Sequence, residues 1–194
     1  MGGVKGKFMA RKKIMRRHSG FTLIEAMISM VVLSVGVLSL AAVYAQGIFF
    51  AGLSQYDYIA EKKAEQAVEA MFTARDIRSL SWAQIQNVST GGVFVDGPQP
   101  ILLPGADGLV GTQTDAGSAD ESVIIGPGPD GIFGTADDQI VDLNPWMKRT
   151  IAITPVVIAG ASEPNLRQVT VTVTYQIGTH QRSYTLISYI SSFA

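Results

Sequence analysis

The residues of this chain that can do chemistry lie near its start and in its middle. In Arg16-Arg17-His18-Ser19-Gly20-Phe21-Thr22-Leu23-Ile24-Glu25, a basic stretch meets one carboxylate, and no further charge follows until Asp57. A secretory signal carries its small-residue cleavage site after the apolar core, which is then discarded. Here the small residue precedes the core, so a cut after Gly20 removes the charges and keeps the apolar segment. The cut also creates an amine on Phe21, and no basic side chain follows Glu25 before Lys62. A carboxylate in a bilayer costs about 2.5–3.5 kcal/mol. An opposite charge about 4 Å away contributes about 4 kcal/mol at an effective dielectric of about 20, enough to offset it. The blander reading has Glu25 snorkelling to the headgroups from the helix start.

The second chemical region is acidic and duplicated. Pro104-Gly105-Ala106-Asp107-Gly108-Leu109-Val110-Gly111-Thr112 corresponds to Pro127-Gly128-Pro129-Asp130-Gly131-Ile132-Phe133-Gly134-Thr135, and Asp115 falls where Asp138 falls. Carboxylates on a tightly bent backbone supply the hard oxygens that Ca²⁺ needs. Asp130, Asp137 and Asp138 are the better candidate set, with Asp107 and Asp115 the weaker copy. Their spacing is not that of an EF-hand loop, and Asp-Gly pairs also make turns with no ion at all.

Other chemistry has few candidates. The chain has no cysteine, so it offers neither a thiol nucleophile nor a disulfide. Of its two histidines, His18 lies ahead of the cut, and His180 falls in an expected hairpin loop after Gly178-Thr179. No glycine-rich phosphate loop follows a strand, and the carboxylates have no partner base. The expectation is a protein that is not an enzyme.

The decamer ending at Glu25 resembles the leader-peptidase site of type IV pilins and pseudopilins. Gly20, Phe21 and Glu25 match the family's glycine before the cut, its new N-terminal phenylalanine and its buried glutamate. The run Val35-Gly36-Val37-Leu38-Ser39-Leu40-Ala41-Ala42 looks most like PilV-type minor pilins. The resemblance implies cleavage by prepilin peptidase, N-methylation of Phe21, and pairing of Glu25 with a neighbouring subunit's amine. It implies other pilin subunits and inner-membrane pilus assembly proteins as partners. The product is then a pilus filament at the cell surface, or a periplasmic pseudopilus. A pseudopilin of a type II secretion system and an unrelated single-pass membrane protein with an exported binding domain are the alternatives.

Charge and periodicity indicate what must position these groups. Seven of the fifteen basic residues precede Gly20, leaving eight against sixteen acids, a net charge of −8 after cleavage. Basic residues flanking a first membrane helix stay cytoplasmic, so the acidic remainder is exported. Nucleic acid is not an expected partner, because the remainder repels phosphate. Ala26 to Ala45 is uncharged and, as a helix, about 30 Å long, the thickness of a hydrocarbon core. Gly36, Gly47 and Gly52 could permit a bend there, although the helix-melting Pro of many pilins is missing. Ile59, Ala60, Ala64, Ala67, Val68, Met71 and Phe72 then recur at three- and four-residue intervals, so one helix is expected from about Phe21 to about Leu80. From Val169 to Ile177 apolar residues alternate with Thr and Gln, and similar segments flank them, which predicts three antiparallel strands. The expected architecture is α+β: a leader over 1–20, the membrane and assembly half of a helix over 21–55, and an exported head over 56–194. Within the head, 91–143 is read as loop-rich and 148–191 as the sheet.

Overall fold

The computed structural model describes residues 20–193. The chain divides into two compact units, Met1–Ile48 and Phe49–Ala194. Helix α1, Leu23–Asp76, contributes to both and runs uninterrupted through Gly36, Gly47 and Gly52. Among the described residues it is the one helix long and apolar enough to cross a membrane. In the first unit its large side chains from Leu23 to Ile48 are all exposed, which suits a lipid or protein environment better than water.

In the second unit the expected period is visible as burial. Leu53, Ile59, Ala60, Ala64, Ala67, Val68, Met71 and Ala74 form the inward stripe of α1. Four of these are alanines, so the stripe presents mostly small side chains to the core. On the outer face Lys62 pairs with Glu65 at 2.6 Å, an exposed pair that contributes little. The helix ends at Asp76 rather than near Leu80, and the reason is local. Ser79 N–H bonds to Ala74 C=O at 2.9 Å and Arg78 N–H to Arg75 C=O at 3.0 Å. These two bonds close a Schellman cap that satisfies the last carbonyls.

The main sheet is antiparallel with order β1-β4-β5-β6. Its members are β1 (Gln99–Pro100), β4 (Met147–Ile158), β5 (Ala161–Ile177) and β6 (His180–Ser191). Three strands were expected and the short β1 makes a fourth, contributed by the loop-rich region. A separate two-stranded ladder pairs β2 (Ser122–Gly126) with β3 (Gln139–Asp142). His180, expected in a loop, opens β6 opposite Ile177, because the turn needs only Gly178 and Thr179. Met147, Ile151 and Ile153 of β4 and Val169, Val171, Val173 and Tyr175 of β5 face inward onto α1 and are buried. Pro155 sits at a register shift of β4, beyond the reach of β1, where its missing N–H leaves no ladder bond unmade. The result is an α+β, pilin-like arrangement: one long apolar helix packed against an antiparallel sheet.

Candidate functional site

The N-terminal site begins with the helix start. Glu25 N–H bonds to Thr22 Oγ1 at 3.3 Å, and Ala26 N–H to Thr22 C=O at 3.1 Å. Thr22 is therefore the N-cap and Glu25 the third helical residue, the Thr-x-x-Glu pattern of a capping box. The carboxylate stands in the first turn, where the helix dipole favours negative charge. Thr22 is the part of this site that sequence reasoning missed, although the spacing announces it. Phe21 is 74% exposed among the described residues. A Cβ on Gly20 would meet nothing within 4 Å. The fold itself does not demand glycine there. The basic leader with His18 lies outside the described residues.

The acidic loops form a second constellation, and the near-repeat in sequence is a repeat in structure. Asp107 Oδ1 accepts the Leu109 N–H at 3.0 Å, and Asp130 Oδ1 accepts the Ile132 N–H at 2.8 Å. Asp115 accepts the Gly111 N–H at 2.5 Å, and Asp138 the Gly134 N–H at 2.6 Å. Gly108 and Gly131 take matching left-handed conformations, at φ 72° and 71°. A Cβ on Gly105 would stand 2.5 Å from Thr114 C=O, and one on Gly128 2.3 Å from Asp137 C=O. Each loop folds around an aspartate turn and is closed by a second aspartate eight residues later.

The two copies differ in how completely they are closed. Asp115 is buried, and it also accepts from Gly105 N–H at 3.0 Å and Thr112 N–H at 3.2 Å. Asp138 is buried as well, but its Oδ1 has no hydrogen-bond partner among the described residues. Asp137 instead ties the second loop, accepting from Thr135 Oγ1 at 2.7 Å and Asp130 N–H at 3.3 Å. Burial is the largest influence on Asp107 and pushes its pKa up. The Leu109 N–H and the hydroxyls of Thr112 and Thr114 together outweigh burial and hold the pKa below the ordinary value. Asp137 is held low chiefly by the Thr135 hydroxyl. Calcium needs about six to eight oxygens at about 2.3–2.6 Å. Apart from Asp138 Oδ1, the carboxylates of Asp107, Asp115, Asp130, Asp137 and Asp138 accept from backbone N–H groups and hydroxyls. Among the described residues no group of three or more His, Asp or Glu could hold a metal ion.

Two buried polar groups escaped sequence reasoning. Asn87 donates to Ile151 C=O at 2.8 Å and accepts from Ile153 N–H at 2.7 Å. It substitutes for a neighbouring strand along the part of β4 that β1 does not reach. Arg149 lies on the inner face of β4 and is buried, with Nε and Nη1 unpartnered among the described residues. Desolvation pushes its pKa down, against the attraction of Glu121 and Asp115. Glu121 in turn holds Lys63 of α1 at 2.6 Å. A charge at an alternating position reads as surface in sequence, so neither signal was available beforehand.

Residues 15–41 match the prokaryotic N-terminal methylation motif. The match spans Arg16, Arg17, Gly20, Phe21, Glu25 and the first turns of α1. It supports a type IV pilin-like or pseudopilin protein, with a membrane-anchored precursor. Such a leader implies processing by prepilin peptidase and assembly with other pilins, and it points to a structural protein rather than an enzyme. No curated protein and no solved structure matches the chain.

Proposed function

We propose that this chain is a structural subunit of a type IV pilus, of the minor-pilin kind, inserted in the inner membrane and then drawn into a filament. One observation carries the reading. The methylation motif leads straight into a capped helix whose first turn presents Glu25 and whose next turns are uncharged and dominated by exposed apolar side chains. Cleavage after Gly20 sets a cation on Phe21, and Glu25 of the adjoining subunit is its counter-ion. A subunit out of register leaves a charge unpaired in an apolar setting, which sets the spacing of the assembly. The test replaces Glu25 with Val. Membrane insertion and cleavage persist, since a charge is removed from lipid, while recovery in sheared filaments falls. Full recovery of the variant would refute the pairing. Mass spectrometry of the same filaments reads whether the mature chain begins at methylated Phe21. Finding the chain only with secretion components and never in surface filaments would favour the pseudopilin reading.

A calcium ion in the loop of Asp130, Asp137 and Asp138 is a second reading, favoured by one feature. Asp138 Oδ1 is a buried carboxylate oxygen without a hydrogen-bond donor. Binding would require Asp137 to release its donors.

A further inference from the structure

The two acidic loops share a backbone design but dispose of their tips differently. In the first copy the tip residues Leu109 and Val110 are core, 3% and 1% exposed. At the equivalent positions of the second copy, Ile132 and Phe133 are 61% and 65% exposed. The turn itself therefore does not require a bare apolar tip. Ile124 and Ile140, paired across the loop end of the β2–β3 ladder, are exposed as well. Apolar exposure on this scale marks a contact with protein or with membrane.

What covers the tip follows from where the ladder runs. Lys63 of α1 holds Glu121 at 2.6 Å, and Gln55 Nε2 donates to Ile125 C=O at 3.3 Å. From Gln55 to Lys63 the helix rises about 12 Å, and from Ile125 to Glu121 an extended chain spans about 13 Å. β2 thus runs alongside α1 in the opposite direction, toward the residues that precede Gln55. The loop leaves the ladder at Gly126 and returns opposite it at Gln139. It carries Ile132 and Phe133 past the level of Gln55 toward Phe49 and Phe50, which are also exposed. The length of α1 sets that level against a bilayer. No charge falls between Glu25 and Asp57. As a helix, residues 26–56 are about 46 Å long, close to the roughly 40–45 Å of a bilayer with both headgroup layers. Gln55 accordingly stands among the outer headgroups, and a loop reaching beyond it enters the interface.

We propose that, before the chain enters a filament, the Ile132–Phe133 tip is seated in the outer interface of the bilayer that α1 spans. The two contacts of β2 with α1 select lipid as the occupant, because they set the loop at headgroup level. Asp130 and Asp137, exposed on either side of the tip, stay among the headgroups, opposite the ammonium groups of zwitterionic lipids. Only the two apolar side chains reach the tails. Loop and helix together restrict the tilt and rotation of the head in the membrane. The proposal rests on the reading of α1 as membrane-spanning.

The chain has no native cysteine, so single introduced thiols report exposure. Purified full-length chain carrying Ile132→Cys, or Ser162→Cys as reference, is reconstituted in phosphatidylcholine–phosphatidylethanolamine vesicles at low chain density. Ser162 is exposed and lies near Pro164, whose C=O accepts Trp82 Nε1 at 2.9 Å beyond the C-terminal end of α1. It therefore marks the far end of the head. A membrane-impermeant maleimide should modify position 132 about tenfold more slowly than position 162, because burial of Phe133 holds the tip in lipid. Adding Phe133→Ser should bring the rate at 132 up to that at 162. Both tip residues are exposed, so neither change touches the core. Chain that floats with the vesicles but reacts equally at both positions overturns the docking and leaves the membrane-spanning reading intact. Chain that does not float overturns that reading and the docking with it. Protection that appears only at high chain density would mean that a second copy covers the tip. Protection that survives Phe133→Ser would mean that the apolar tip is not what holds the loop. Either result overturns the proposal.

Discussion

Replacing Asp115 by Ala should be among the most damaging single changes in the head, and clearly worse than the same change at its repeat partner Asp138. The Asp115 carboxylate is 6% exposed and accepts three backbone N–H groups, from Gly105, Gly111 and Thr112. Asp138 accepts one, from Gly134. A hydrogen bond to a charged group contributes about 1.5–3 kcal/mol, and a buried donor left without a partner costs about 1–3 kcal/mol. Three such bonds are not additive, since the loop relaxes once its anchor is gone. Asp115→Ala is therefore expected to lose about 3–5 kcal/mol and Asp138→Ala about 1–2 kcal/mol. The assay is urea unfolding of the full chain in detergent micelles, followed by fluorescence of Trp82 and Trp146, the two tryptophans of the chain. Asp115→Asn should fall between wild type and Ala, because its amide keeps one acceptor but turns NH₂ toward a donor. Equal losses at positions 115 and 138, or a loss below about 1 kcal/mol at 115, would show that loop closure does not depend on the carboxylate.

Four further measurements bear on the other elements. Gly20→Val should block cleavage while leaving the fold unchanged, because a Cβ at that position meets nothing; normal N-terminal sequencing from Phe21 would contradict this. Asn87→Ala should destabilise the head by about 2–4 kcal/mol, since two buried backbone groups of β4 lose their partner; a change within about 0.5 kcal/mol would show that β4 finds other partners. Because Asp107 is held below its ordinary value of 3.8, the unfolded chain takes up that proton first as pH falls. Its stabilising contribution is complete well above pH 3.8 and is lost as pH drops through the folded value; Asp107→Asn should flatten this part of the stability–pH curve, and an unaltered curve would refute the assignment. An ion held by Asp130, Asp137 and Asp138 would raise unfolding free energy by about 2.7 kcal/mol at a hundred times its Kd; identical melting in calcium and in chelator would assign these carboxylates to the turn alone.

What the sequence by itself determined is what lies close together along the chain. The basic residues, Gly20, Phe21 and Glu25 form one short string, and the methylation motif is read largely within and just after it. The apolar stripe of α1 and the alternation of β5 are likewise local periods, so helix, sheet and α+β class were all legible. The aspartate loops were legible as a repeat, because residues of matching type recur at a constant offset. Only the tertiary structure decided what each repeat does. Leu109 and Val110 enter the core while Ile132 and Phe133 remain outside, although all four are apolar residues in the same turn. The end of α1 was misjudged because a Schellman cap is sought by its glycine, and here Arg78 occupies that place. Asn87 and Arg149 stayed hidden for a related reason. Their roles depend on partners more than twenty residues away, Ile151 and Ile153 for one and the neighbourhood of Glu121 and Asp115 for the other. A polar side chain buried by distant elements leaves no period in the sequence, and only packing reveals which of its bonds are made.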